Sequence, residues 1–79
     1  MLSSYIRAAM ELAEYSLLDN GSYYAEIPGI QGVWAEGKTQ ADARRELQEV
    51  LEGWIVLRLE RQHPIPEING HTLHMGQVA

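Results

Sequence analysis

Residues 13–37 read AEYSLLDNGSYYAEIPGIQGVWAEG, and the fold turns on how this stretch is punctuated. Two runs, AEYSLLD and SYYAEI, flank Asn20-Gly21, the residue pair that best tolerates the positive φ angles of a tight hairpin turn. With Asn20 and Gly21 as the two loop residues, the spacing predicts Leu17 opposite Tyr24 and Tyr15 opposite Glu26 on one face. Leu18 then lies opposite Tyr23, and Ser16 opposite Ala25, on the other. Neither face is purely polar, so the sheet calls for two covers. A helix would take one face, and the N-terminal helix or another chain would take the other. Pro28-Gly29 ends the second strand, and residues 32–37, GVWAEG, read as a third short strand closed by glycine.

A helix start follows directly. Thr39 can cap the exposed amides, Asp42 stands at the third helical position where a capping box puts an acid, and Asp42, Glu46 and Glu49 suit the positive end of the dipole. Arg58 and Arg61 sit near the other end. The spacing predicts a long helix over residues 40–62 with Ala43, Leu47, Val50, Trp54 and Leu57 as the stripe facing the sheet. Leu51, Ile55 and Leu59, with Val56 near, form a second stripe, so the late turns are expected to be buried twice. Gly53 costs about 1 kcal/mol against Ala in a helix interior, and its expected use is the close approach of another backbone or ring. Pro64 and Pro66 stop the helix, and residues 71–75, HTLHM, read as a short C-terminal edge strand.

On the other side of the meander, residues 2–12 (LSSYIRAAMEL) place Leu2, Ile6, Ala9 and Met10 near helical spacing. Such a helix is too short to persist alone in water and should exist only docked on the rest. The expected architecture is therefore α+β and single-domain over residues 1–79. A helix over 1–12 and a three-stranded antiparallel meander over 13–37 precede the long helix over 40–62, and an extension fills 64–79.

The whole chain has 79 residues, a formal net charge of −5 and no cysteine. A chain this short has room for one modest core, which excludes two-domain enzymes. The absence of cysteine excludes a disulfide framework, a thiolate zinc site and a thiol nucleophile, and fits a cytoplasmic protein. Eleven acids against six bases argue against direct binding of DNA or RNA and favour a basic partner. No apolar run approaches the ~20 residues of a membrane span.

Few residues invite chemistry. His71 and His74 form an H-x-x-H with His63 upstream, but on a strand residues three apart point to opposite faces, and no cysteine completes a zinc site. The preferred reading is exposed or locally hydrogen-bonded histidines, with no metal and no cofactor. Glu26 and Glu36 lie on neighbouring strands and could converge as paired carboxylates. No nucleophile, phosphate loop or ligand cluster accompanies them, so solubility of the strand edge is preferred and no enzyme is expected. Tyr24 shares a face with Glu26. An aromatic beside acids on an exposed sheet has the composition of a binding patch for a basic protein, and core packing of Tyr23, Tyr24 and Trp34 is the equal alternative, because the pattern does not decide which face the long helix covers.

The run GSYYAEIPGIQGVWAEGKT over residues 21–39, the amphipathic helix after it and the PIPE that follows resemble the HicB-like antitoxin family. The resemblance rests on Gly21, Tyr23 or Tyr24, Ala25, Ile27, Pro28, Ile30, Gly32, Ala35, Gly37 and Thr39, and covers about residues 14–67. It implies a partial ribonuclease-H-like fold, three antiparallel strands on one long helix. It also implies a partner, a HicA-like basic ribonuclease toxin whose active site the antitoxin masks. Two features depart from the family pattern. After Pro66 only 13 residues follow, too few for the DNA-binding domain that many of its members carry, so no DNA binding is expected. The added N-terminal helix is the other, and it could lie over the very face a toxin would use.

Two functional expectations result. In the first, Tyr24, Glu26, Trp34 and Glu36 contact a HicA-like toxin, and Asp42, Glu46 and Glu49 form an acidic rim. In the second, a stand-alone HicB-like protein forms a homodimer or larger assembly through Ile55, Val56 and Leu59.

Overall fold

Asn20-Gly21 turns the chain, but in a loop one residue longer than the pair alone would make. In the computed structural model, which describes residues 2–68 and 70, Gly21 N–H donates to the Leu18 carbonyl at 2.9 Å and Leu18 N–H to the Ser22 carbonyl at 2.8 Å. Asp19 and Asn20 keep negative φ, and Gly21 alone takes φ 87°. This is the three-residue loop in which an i→i+3 turn is followed by a left-handed glycine. The Asn20 side-chain oxygen completes it by accepting from Ser22 N–H at 3.0 Å.

The extra loop residue shifts every pair. Strand β1 (Glu14–Leu17) pairs antiparallel with β2 (Tyr23–Glu26) as Glu14 with Glu26, Tyr15 with Ala25, Ser16 with Tyr24 and Leu17 with Tyr23. The pairing expected from a two-residue loop is thus off by one. Because side chains alternate with a period of two, that slip re-sorts one strand's residues between the faces. In the actual register Tyr15, Leu17, Tyr23 and Ala25 share one face, and Glu14, Ser16, Tyr24 and Glu26 share the other. Strand β3 (Trp34–Gly37) adds Ala35 and Gly37 to the first face and Trp34 and Glu36 to the second, in sheet order β1-β2-β3. The sheet has one apolar side and one mixed side, not two apolar ones.

Helix α1 (Leu2–Glu11) precedes the sheet and α2 (Gln40–Glu60) follows it, giving a mixed α+β fold. Thr39 caps α2 as expected, its hydroxyl accepting from Asp42 N–H at 3.1 Å. The helix ends two residues earlier than the expected boundary. Gln62 takes a left-handed φ of 56°, and His63 N–H closes back on the Arg58 carbonyl at 2.9 Å.

Helix α2 lies on β3 and β2, and the residues it buries are Ala43, Leu47, Leu51 and Ile55, an unbroken row at steps of four. This corrects the expected stripe. Val50 and Leu57 are exposed, Trp54 is half-buried, and Ile55 is fully buried in the core instead of standing free for self-association. Both patterns fit helical spacing from Ala43 and Leu47 onward, and the sheet selects the row pointing at Ala25, Ile27, Val33 and Ala35. Complete burial of a side chain such as Leu47, Leu51 or Ile55 contributes about 1.5–3 kcal/mol.

Gly37 fixes where α2 can start. A Cβ there would lie 2.8 Å from the Asp42 carbonyl carbon and 2.9 Å from Ala43 Cα, closer still to the Ala43 amide nitrogen, so β3 and the first turn of α2 touch backbone to backbone. Gly53 has the opposite surroundings. Nothing lies within 4 Å of a Cβ built there, so the close neighbour expected for it is not part of this chain's described residues.

Helix α1 does not cover the second sheet face. It packs on α2, burying Tyr5, Ala8, Ala9 and Met10, and the Tyr5 hydroxyl donates to the Pro66 carbonyl at 2.6 Å. The segment after α2 folds back to meet it, with Ile65 half-buried, Ile68 buried and Arg58 donating to the Pro64 carbonyl at 3.2 Å. The expected strand at 71–75, with His71 and His74, lies outside the described residues.

Candidate functional site

The sheet face turned away from α2 carries six side chains in two rows. Glu14, Glu26 and Trp34 form one row across the three strands, and Ser16, Tyr24 and Glu36 form the next. Among the described residues no helix lies over them: α2 and α1 are both on the other side, and Trp34 keeps 54% of its surface exposed. The β-branched and apolar residues expected on a covered face are replaced here by three carboxylates, a serine and two large aromatics.

The aromatic rings hold each other. Tyr24 and Trp34 stack with ring centroids 5.9 Å apart at 27°, an offset arrangement that stiffens both and presents a broad π surface. Glu26 and Glu36 occupy the opposite corners of the same four-residue cell. Glu36 is oriented by the Ser22 hydroxyl, which donates to its carboxylate at 2.7 Å. Glu26 instead faces Glu14 across β1, like charge against like charge.

Among the described residues no ion pair balances this face. Among the described residues the one ion pair joins Arg45 to Asp42 on α2, at 2.7 Å. Arginine-rich or lysine-rich surfaces are where an aromatic pair ringed by carboxylates gains most on contact, through cation–π interaction with Trp34 and charge-assisted hydrogen bonds to the glutamates.

The structure thus brings Tyr24, Glu26, Trp34 and Glu36 together on one face, and it adds Glu14 and Ser16, which the two-residue-loop register puts on the face opposite Tyr24 and Glu26. Their signal was present in the alternation of Glu14 and Ser16 with Tyr15 and Leu17. The expected acidic rim is not part of this surface. Asp42, Glu46 and Glu49 belong to α2, in the helical layer on the far side of the sheet, with Asp42 committed to Arg45. Of the expected self-association residues, Ile55 is core, Leu59 is half-buried against it and Val56 is 51% exposed. Among the described residues no group of three His, Asp or Glu is placed to hold a metal ion. No helix among them is long and apolar enough to cross a membrane.

Comparison with known proteins adds three findings. A family profile described as UPF0150-like matches residues 4–66, which takes in most of α1, the whole sheet, α2 and the first part of the returning segment. The crystal structure of TTHA0281 from Thermus thermophilus is similar to this chain with a TM-score of 0.87 and 35% sequence identity, over 92% of this chain and 91% of that one. No curated protein matches the sequence.

Proposed function

The chain belongs to the UPF0150-like family, and from that starting point we propose that it is a HicB-like antitoxin, a non-catalytic cytoplasmic protein that binds and occludes a HicA-type mRNA-cleaving toxin. In this reading the sheet and α2 are the partial ribonuclease-H-like unit of such antitoxins. The observation that carries the reading is the open sheet face, where stacked Tyr24 and Trp34 stand among Glu14, Glu26 and Glu36 with no ion-pair partner among the described residues. A ribonuclease must present a basic surface to bind RNA phosphates. Carboxylates on a rigid sheet can occupy that surface in their place, and a net charge of −5 favours fast association with it.

The test is co-purification and an RNA-cleavage assay with a small basic protein encoded beside this one. Inhibition is expected, weakened at least tenfold in affinity by Trp34→Ala or by Glu26→Lys, since desolvated aromatic and charged contacts carry about 2 kcal/mol or more each at such interfaces. A neighbouring HicA-type protein that neither binds nor is inhibited would sink the reading.

A second reading is a self-associating HicB-like protein without a toxin partner. It draws support from Val50, Val56 and Leu57, which α2 leaves exposed. Neither reading involves direct contact with nucleic acid or membrane.

A further inference from the structure

We infer that α2 is the contact helix of a two-fold symmetric homodimer in which the two α2 helices lie antiparallel, crossing at Gly53. The surface concerned is the flank of α2 that neither the sheet nor α1 covers. Two neighbouring rows at steps of four run along it, Glu46-Val50-Trp54-Arg58 and Glu49-Gly53-Leu57-Arg61. Both begin with an acid, pass through an apolar middle and end with an arginine. Val50 and Leu57 are 37% and 46% exposed, and Gly53 leaves open space where a side chain would stand.

The order of charge decides the occupant and its direction. An isologous contact must be complementary to itself. In a parallel pair acids would meet acids and arginines would meet arginines. In an antiparallel pair turned about a two-fold axis between Gly53 and Trp54, Val50 meets Leu57, Gly53 receives Trp54, Glu49 meets Arg58 and Glu46 meets Arg61, each contact occurring twice. Residues at such spacing form the ridges that pack helix on helix, and a glycine at the crossing lets the two backbones close in. Glu46, Glu49 and Arg61 are exposed, and half-buried Arg58 is held over its own Trp54 ring at 4.9 Å and by its bond to the Pro64 carbonyl at 3.2 Å, so the Trp54–Arg58 pair presents an already ordered edge. The open sheet face offers no such match, because its carboxylates would meet their own copies.

The dimer is independent of the antitoxin reading, since the two surfaces lie on opposite sides of the sheet. The experiment is sedimentation velocity of the full chain across the micromolar range, with far-ultraviolet circular dichroism to verify the fold of each variant. Wild type is expected to dimerise, and Leu57→Asp to remain monomeric. Glu46→Arg or Arg61→Glu alone is expected to raise the dissociation constant about tenfold, because a like-charge pair then replaces each attractive one. The double variant Glu46→Arg/Arg61→Glu restores both pairs with reversed sign and is expected to return within about threefold of wild type. A wild-type monomer throughout the range, single swaps without effect, or a double swap that fails to recover would each overturn the antiparallel dimer, and both swap positions are exposed, so the result does not depend on a core variant folding.

Discussion

Glu14 and Glu26 stand directly opposite each other across β1 and β2, on the sheet face turned away from both helices. Like charges in that position are destabilising, by about 0.2–1 kcal/mol relative to a neutral pair. Glu26→Thr, which keeps a side chain suited to a strand, is expected to stabilise the protein by roughly that amount while weakening capture of a basic partner. Urea unfolding followed by tryptophan fluorescence checks the first half, as a higher midpoint at unchanged slope. A lower midpoint would show that the two carboxylates do not oppose each other as described.

Gly37 sets the distance between β3 and α2. Gly37→Ala forces its new Cβ into the backbone of Asp42 and Ala43, which cannot swing aside as a flexible side chain could. A loss of about 1–3 kcal/mol is expected, the range for overpacking at a rigid contact. Thermal unfolding of the variant checks it, and an unchanged midpoint would mean that α2 does not begin against β3.

Ile55 and Val56 are adjacent in sequence and opposite in environment, one fully buried and one 51% exposed. Ile55→Ala is expected to cost about 2–5 kcal/mol, as for large-to-small changes in a packed core, whereas Val56→Ala should stay within about 0.5 kcal/mol. Equal losses for the two would contradict the placement of the core row.

Tyr5 couples stability to alkaline pH. Burial pushes its hydroxyl above the ordinary value of 10.0 by disfavouring the phenolate. The unfolded chain therefore gives up this proton first as pH rises, and the contribution of Tyr5 is complete below pH 10.0 and falls away as pH climbs through the higher folded-state value. Tyr5→Phe is expected to remove that part of the alkaline loss and, by leaving the Pro66 carbonyl without its donor, to cost about 0.5–1.5 kcal/mol at neutral pH. Unfolding midpoints for both proteins from about pH 7 to about pH 11 separate the two effects. Parallel curves would dismiss the role given to the hydroxyl.

Gln62 ends α2 in the left-handed region, φ 56°, where a side chain crowds its own backbone. Gln62→Gly is expected to raise stability by about 0.5–1 kcal/mol through relief of that strain. Denaturant titration reads the change directly, and a destabilised variant would count against the left-handed assignment.

The elements were legible because their punctuation is local: Thr39 with Asp42, Pro28-Gly29 and Asn20-Gly21 each act within a few residues. What failed to read out depends on choices between near-equal local options. Asn20-Gly21 can serve a two-residue loop or the last part of a three-residue one, and the difference of a single residue decides whether Tyr24 sits above Leu17 or beside Ser16. Similarly, Ala43 and Leu47 begin either of two apolar rows, and only the sheet beneath distinguishes Leu51 and Ile55 from Val50 and Leu57. The candidate site survived the register error because Tyr24, Glu26, Trp34 and Glu36 alternate within their own strands. Its partners Glu14 and Ser16 did not, since their face depends on the pairing.

The bond from the Tyr5 hydroxyl to the Pro66 carbonyl spans 61 positions along the chain, and α1 rests on α2. The order of synthesis therefore runs against the order of assembly. The ribosome releases α1 before α2, yet the seat of α1 is complete only once α2 and the segment behind it have emerged. Until then Tyr5, Ala8, Ala9 and Met10 have nothing to bury against, while the hairpin that follows can already close. The Tyr5–Pro66 bond can close only after residue 66 has left the ribosome, so α1 with its full set of contacts belongs to the finished chain.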